Sequence, residues 1–338
     1  MRLTRRRKVL MLLMGWMIVT FSTWLLHYGT NVHDLVSDSQ QEPSSGWLWS
    51  EAQVILEVGE PAREGILLLE GYGYPRLTFR MWCAVESAAR AHPHLPVSLL
   101  MTSPVIKDSS LLHNLTGHLK NIHLLHLNTT HLFQGSPLHT WYQQRKWRES
   151  FWPLSHFNDA VRWLLLWKYG GVYLDLDVMV LRPLTRLPNC TALESRKYVA
   201  AGVLKFTPNH PLMRACLDYF AQNFDGTVWG GNGPELLTQV LIDRCGLELS
   251  TGRVPRCPDV TVLPSRAFYP IAWWEWRRYL EDDARLADDL LDDPKVYALH
   301  MWNLHTRHVP VLLTSQQPYA RVANAHCPIT AAHAGLLM

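Results

Sequence analysis

Two carboxylates one residue apart, Asp175-Leu176-Asp177, interrupt an otherwise β-branched and apolar run over residues 172–181. Side chains alternate along an extended chain, so both acids are expected on one side, about 7 Å apart, with Leu174, Leu176 and Val178 on the other. Carboxylates on a hydrophobic strand are costly unless they are paired or ligate a cation. A hard divalent ion such as Mn²⁺ or Mg²⁺ suits their oxygens and can bridge to a diphosphate. The alternative is a strand end hydrogen-bonded to loop backbone. Upstream, Asp159 and Arg162 are three apart and share a helix face. Downstream, His300 offers either a further ligand or a packed ring before Trp302. Trp229-Gly230-Gly231-Asn232-Gly233 is a glycine-rich loop that allows close backbone approach to a ligand, or else a tight turn before a helix at Glu235. Trp273, Trp274 and Trp276 form either a sugar-stacking wall or part of the core.

Several elements must position these groups. Ala160, Trp163, Leu164 and Trp167 recur at i, i+3, i+4 and i+7, one buried helix face. Gly170-Gly171 then stops the helix. Residues 65–70, 96–101 and 122–127 read as short buried strands, and residues 83–91 read as a helix. Strands alternating with helices predict an α/β fold, with a largely parallel sheet covered on both faces. Residues 281–293 hold seven acids and one Arg, which is a solvated helix face or loop and not a metal site.

The charge balance excludes one class of partner. Five basic residues fall among the first eight positions, and the remainder carries 27 basic against 29 acidic side chains. A nucleic-acid binder keeps its basic excess on the folded body, so no nucleic acid is expected. The following 18 residues, 9–26, carry no charge and as a helix span about 27 Å, close to a thin bilayer's hydrocarbon core. The run is too long for a signal peptide's apolar region and lacks an A-x-A-like cleavage site. With the positive cluster ahead of it, an uncleaved anchor leaves residues 1–8 cytosolic and the rest across the membrane. Residues 27–62 are mixed and polar, a stem, which leaves 63–338 as the lumenal folded domain. Three N-x-S/T sequons, at Asn114, Asn128 and Asn189, agree with that side of the membrane. Six cysteines with no zinc spacing allow up to three disulfides among 15 connectivities. Cys245–Cys257 is the first pairing to test, and buried free thiols stay open for Cys190 and Cys216.

Several segments together carry a family resemblance. They are Cys83-Ala84-Val85-Glu86, Asp159-Ala160-Val161-Arg162, Tyr169-Gly170-Gly171-Val172-Tyr173-Leu174-Asp175-Leu176-Asp177, Val228-Trp229-Gly230 with Gly233-Pro234-Glu235, Phe268-Tyr269-Pro270-Ile271, Tyr297-Ala298-Leu299-His300-Met301-Trp302-Asn303 and Cys327-Pro328. In this order, over roughly residues 66–330, the chain resembles retaining glycosyltransferases of family 32, the α1,4-galactosyl- and α1,4-N-acetylglucosaminyltransferases. The resemblance implies a Rossmann-like GT-A domain and a type II Golgi membrane enzyme. It implies a UDP-sugar donor carrying Gal, GalNAc or GlcNAc, and a glycolipid or glycoprotein glycan as acceptor in α1,4 linkage. It places Asp159 and Arg162 on the nucleotide and diphosphate side, with Arg162, Asp175 and Asp177 as the catalytic set. It places Mn²⁺ (or Mg²⁺) on Asp175 and Asp177, with His300 as a further ligand, and Trp229, Gly230 and Gly233 near the donor. With no dedicated nucleophile, a front-face, ion-pair-like displacement with retention is expected. Three departures stand out: Leu176 where the family usually has Thr, Ala201 where it often has Asn, and Gly71-Tyr72 where Thr-Ser is common. Leu176 and Ala201 motivate an alternative, a catalytically silent member that binds glycans or partners. A third reading is a metal-dependent hydrolase of sugar nucleotides.

Overall fold

The structure, a computed structural model, describes residues 52–338. The basic tail, the apolar run 9–26 expected to anchor the chain, and most of the expected stem lie outside the described residues. Among the described residues, no helix is long and apolar enough to cross a membrane. The first described strand, β1 (Gln53–Ile55), pairs antiparallel with β4 (Val105–Lys107), and Leu56 is buried. This part of the stretch expected to be stem is therefore packed on the folded body.

The centre is a seven-stranded sheet of β2 (Ile66–Glu70), β3 (Val97–Met101), β5 (Ile122–His126), β6 (Gly171–Leu174), β8 (Cys190–Ala192), β9 (Val203–Phe206) and β10 (Thr261–Leu263). Its order is β10-β8-β9-β6-β2-β3-β5. All the pairings are parallel except those of β9, which runs antiparallel to both β6 and β8, so the sheet is mixed. Every residue of β2 and β3 is buried, as expected for central parallel strands covered on both faces. One face packs the helices Pro153–Tyr169, Pro211–Asn223 and Pro234–Cys245. The other packs Phe79–Ala91 and Ser110–His118.

The helix Pro153–Tyr169 is buried beyond the one face that periodicity predicts, because the sheet and the helix Pro211–Asn223 enclose it. Pro153 at its first position needs no N–H partner, and Gly170 receives the chain at its end with φ +64°. Gly171 follows at φ +91°, where an added Cβ would lie 2.1 Å from the Gly65 carbonyl oxygen. Only glycine lets the chain turn straight from this helix into β6.

A third core lies under the C-terminal segment. There Glu86, fully buried, accepts from the Ile329 and Thr330 amides, the Thr330 hydroxyl and Arg90 Nε. Cys83, one turn earlier, is disulfide-bonded to Cys327. Together they pin the helix Pro328–Ala334 to Phe79–Ala91, with the Glu86 carboxylate at the positive end of the shorter helix. Cys245–Cys257 is also bonded, while Cys190 and Cys216 are buried free thiols. The acidic stretch forms the helix Ala284–Asp292, with Asp283 as its cap.

Candidate active site

The run 172–181 is not one strand. β6 ends at Leu174, residues 175–177 turn, and β7 (Val178–Val180) leaves the main sheet to pair antiparallel with β11 (Ala298–His300). The turn is closed by the Val178 amide donating to the Asp175 carbonyl, 3.1 Å. The expected alternation therefore fails at the two acids, and Leu176 packs against the core below the sheet. The cause is β11: pairing His300 with Val178 pulls the chain out of the sheet at this point. The two carboxylates still converge, and the same pairing delivers His300 to them. His300 Nε2 lies 3.4 Å from Asp177 Oδ1 and 3.6 Å from Asp175 Oδ2.

The oxygens of each carboxylate divide their work. Asp175 Oδ1 accepts from Arg162 Nη2 at 2.9 Å and from the Tyr173 hydroxyl at 3.0 Å. Asp177 Oδ2 accepts from the Asn303 amide at 2.9 Å, the first residue of the short helix Asn303–Thr306. The remaining oxygens, Asp175 Oδ2 and Asp177 Oδ1, face His300. One atom from each of the three residues lies within 4.8 Å of the others. Two hard oxygens and an imidazole nitrogen at that spacing fit a divalent cation.

Gly202 keeps the space clear. A Cβ there would sit 2.8 Å from Asp175 Oδ2 and 3.0 Å from His300 Nε2, while the Gly202 carbonyl accepts from the Asp175 amide. Gly202→Ala is therefore expected to weaken divalent-ion affinity by about tenfold, the usual effect of disturbing a ligand's surroundings. Titrating the ion against thermal melting checks this.

Behind the pair, Arg162 Nη1 bonds Asp159 Oδ1 at 3.0 Å, so one guanidinium joins Asp159 to Asp175. It also lies over the Tyr173 ring, 4.9 Å from its centroid. Its Nε is buried with no partner, a donor turned to nothing in the protein. Burial pushes the Asp159 carboxyl up to about 6, with Arg162 opposing. Burial acts the same way on Asp175, but Arg162 and then His300 outweigh it and hold that carboxyl below its ordinary value. Asp177 goes the other way: burial raises it, and the His300 charge does not fully offset that. Burial lowers His300, but the two aspartates overcome it, and its basicity is raised.

The glycine-rich loop splits in two. Gly233 lies on Asp159, where a Cβ would be 2.8 Å from Oδ1. Trp229 is exposed, and its carbonyl faces His156 Nε2 of the helix Pro153–Tyr169 at 3.2 Å. Gly230 has no comparable closeness to the acids, since its nearest side chains are Glu235 and Pro234.

Sequence reasoning gave no role to Asn158 or Gly71. A Cβ on Gly71 would lie 1.6 Å from Asn158 Oδ1, so the asparagine fills the space a side chain at 71 would need. This accounts for glycine at 71. Asn158 Oδ1 is buried without a partner. Beside them a cleft of about 550 Å³ opens at the C-terminal ends of β2, β3 and β5, lined by Tyr72, Thr102, Asn128, Thr129, Tyr142 and Trp147 among others. The crevice beyond the carboxyl ends of the strands is where open α/β sheets take their ligands.

Comparison with known proteins gives two family regions in tandem. Residues 78–195 match the glycosyltransferase sugar-binding region containing a DXD motif, and 205–334 match the alpha 1,4-glycosyltransferase conserved region. Lactosylceramide 4-alpha-galactosyltransferase of Mus musculus is 35% identical over 270 residues, 78% of this chain and 74% of the relative. Alpha-1,4-N-acetylglucosaminyltransferase of Homo sapiens is 32% identical over 277 residues, 79% of this chain and 80% of the relative. Among solved structures, a galactosyltransferase in complex with donor and acceptor sugar analogues aligns over 79% of this chain and 95% of its own, at 16% identity and a TM-score of 0.41.

Proposed function

The chain belongs to the α1,4-glycosyltransferase family with a DXD sugar-binding region, and as a glycosyltransferase of that family we propose that it moves a hexose or N-acetylhexosamine from a UDP-sugar to a glycan in α1,4 linkage, with retention and with Mn²⁺ as its ion. We further propose a GT-A fold, an N-terminal membrane anchor over residues 9–26 and a Golgi-lumenal body. The printed activities of the relatives make galactose and N-acetylglucosamine the donors to try first, and a lactosyl lipid the first acceptor.

One observation supports the reading above the others. Three groups from two distant parts of the chain, Asp175 and Asp177 from one and His300 from the other, turn their unshared atoms towards one point, with Arg162 next to it. When bound there, the divalent ion supplies charge neutralisation for the two phosphates of the leaving UDP. The chain's own residues do the rest. Arg162 is held rigid by Asp159 and Asp175, so its positive charge is fixed beside the point where the leaving diphosphate would develop charge. Asp159 and Tyr173 fix the rotamers of Arg162 and Asp175, so no reorganisation is needed as negative charge develops. The Asn303 amide does the same for Asp177. The cleft beside Gly71 and Tyr72 accommodates the nucleoside. Attack from the face that UDP leaves keeps the anomeric configuration.

The test is a donor-by-acceptor screen of the purified chain, with and without Mn²⁺, followed by linkage analysis of the product. An α1,4-linked product that appears only with the ion supports the reading. A folded protein that releases UDP at one rate whether or not an acceptor is present is a hydrolase. One that turns over none of the UDP-sugars is a silent family member.

A further inference from the structure

Among the described residues, most of the large aromatic side chains are buried or half-buried, but Trp273 and Trp274 are among those that are not. They are 45% and 55% exposed, which leaves two indoles facing water at a hydrophobic cost. They open the 3₁₀ stretch Trp273–Tyr279 and meet at 85° with centroids 5.6 Å apart, an L-shaped shelf.

Two anchors hold this shelf beside the acidic pair. The indole N–H of Trp302, two residues after His300, donates to the Ile271 carbonyl at 2.9 Å. The ring of His305 lies between Trp273 and Trp276, at 5.8 and 6.2 Å and nearly parallel to both. His305 belongs to the helix Asn303–Thr306, whose first amide binds Asp177. The Cα atoms of Asn303 and His305 are two peptide units, at most about 7.6 Å, apart. Trp276 is itself covered by the Arg277 guanidinium, 4.5 Å from its ring centroid, so it supports the shelf rather than forming its surface.

We propose that Trp273 and Trp274 are the platform for the terminal hexose of the acceptor, a β-galactoside laid with its apolar C–H face on an indole. The proposal rests on the glycosyl-transfer reading above. The stereochemistry of galactose suits it. In the chair of a β-galactoside, H1, H3 and H5 point to one face and the axial 4-hydroxyl to the other. Stacking the first face on tryptophan leaves the 4-hydroxyl projecting away from the shelf, free to act as nucleophile. A β-glucoside has an equatorial 4-hydroxyl that leaves in the plane of the ring, so the same stacking presents it badly.

Saturation-transfer NMR on the full chain, with lactose as the probe and cellobiose as its comparator, tests the idea without requiring turnover. Saturation is expected on galactose H3, H4 and H5; cellobiose, which offers the same H1, H3 and H5 face, is expected to stack but to accept little sugar because its 4-hydroxyl lies in the plane of the ring. Trp274→Ala is expected to weaken lactose binding by about tenfold and to raise the acceptor KM by the same factor, with the donor KM unmoved. Trp274→Phe recovers part of both. Wild-type protein that gives lactose no saturation overturns the proposal, as does a Trp273→Ala/Trp274→Ala protein that binds lactose normally. If lactose stacks here and nothing is transferred, the shelf stands and the catalytic reading fails. If transfer proceeds with the same acceptor KM in both proteins, the catalytic reading stands and the shelf fails.

Discussion

Asp177→Ala is expected to transfer sugar at less than about a thousandth of the wild-type rate, yet to melt no lower than the wild type when divalent ions are absent. The activity loss follows from geometry. Asp177 Oδ1 is one of the three atoms turned towards the common point. Removing one preorganised group that stabilises developing charge costs about 10²–10³-fold, and losing a metal ligand as well takes the loss to the upper end or past it. The stability expectation runs the other way because Asp177 is a burden in the ion-free fold. Burial raises its carboxyl pKa, and the neighbouring Asp175 carboxylate raises it further. Its compensation is the Asn303 amide and an imidazole 3.4 Å away. Truncation relieves the like-charge pair and leaves one amide, at a partly open position, to water. Differential scanning calorimetry with and without Mn²⁺ reads both halves. Mn²⁺ should raise the wild-type melting temperature by mass action and leave the variant's unmoved. A variant with wild-type turnover would show that the acidic pair is structural.

How much of this site could be read in the chain beforehand differs from residue to residue. The pair Asp159 and Arg162 was legible from their spacing alone, because a helix places i and i+3 on adjoining ground, and the two do bond at 3.0 Å. The glycines after Tyr169 were legible because few residues tolerate the positive φ that both adopt. The acids at 175 and 177 were read correctly as neighbours but for a reason that does not hold. Strand periodicity assumes that β6 continues, and only the long-range pairing of β7 with β11 ends it. Nothing near residue 175 encodes that pairing, since it depends on a segment more than 120 residues away in sequence. The same blindness applies to Asn303 and Gly202, while His300 was named as a candidate ligand but its position against both acids was not readable. Each acts through a contact across the fold, with His300 facing both acids, the Asn303 amide on Asp177, and Gly202 giving clearance to Asp175 and His300. Gly71 could only be read as a departure from its relatives, because the reason for it is the volume of Asn158. The strands β2, β3 and β5 were visible as apolar runs, while the reversed β9 was not, because burial on both faces erases the difference between parallel and antiparallel neighbours.

Arg162→Met should combine a loss of about 10³-fold in turnover with a destabilisation of about 3–5 kcal/mol, and the two effects can be separated. The guanidinium links Asp159 to Asp175 at 3.0 and 2.9 Å, and the Arg162 and Asp159 side chains are each 10% exposed. Methionine conserves much of the volume but leaves two carboxylates close together without their shared cation, and the cost of buried, unpaired charge dominates. Lysine restores a charge but not the two-armed geometry that reaches both acids at once, so Arg162→Lys should regain part of the stability and little of the turnover. Adding Asp159→Asn to Arg162→Met removes one of the stranded charges, and chemical denaturation should show a substantial part of the lost stability returning. Turnover should not return with it if the proposed role holds, because the fixed positive charge beside the acidic pair is still missing. If the double variant regains both, Arg162 serves only to neutralise Asp159. If it regains stability alone, the guanidinium acts on the departing diphosphate, which Asp159 positions it to do.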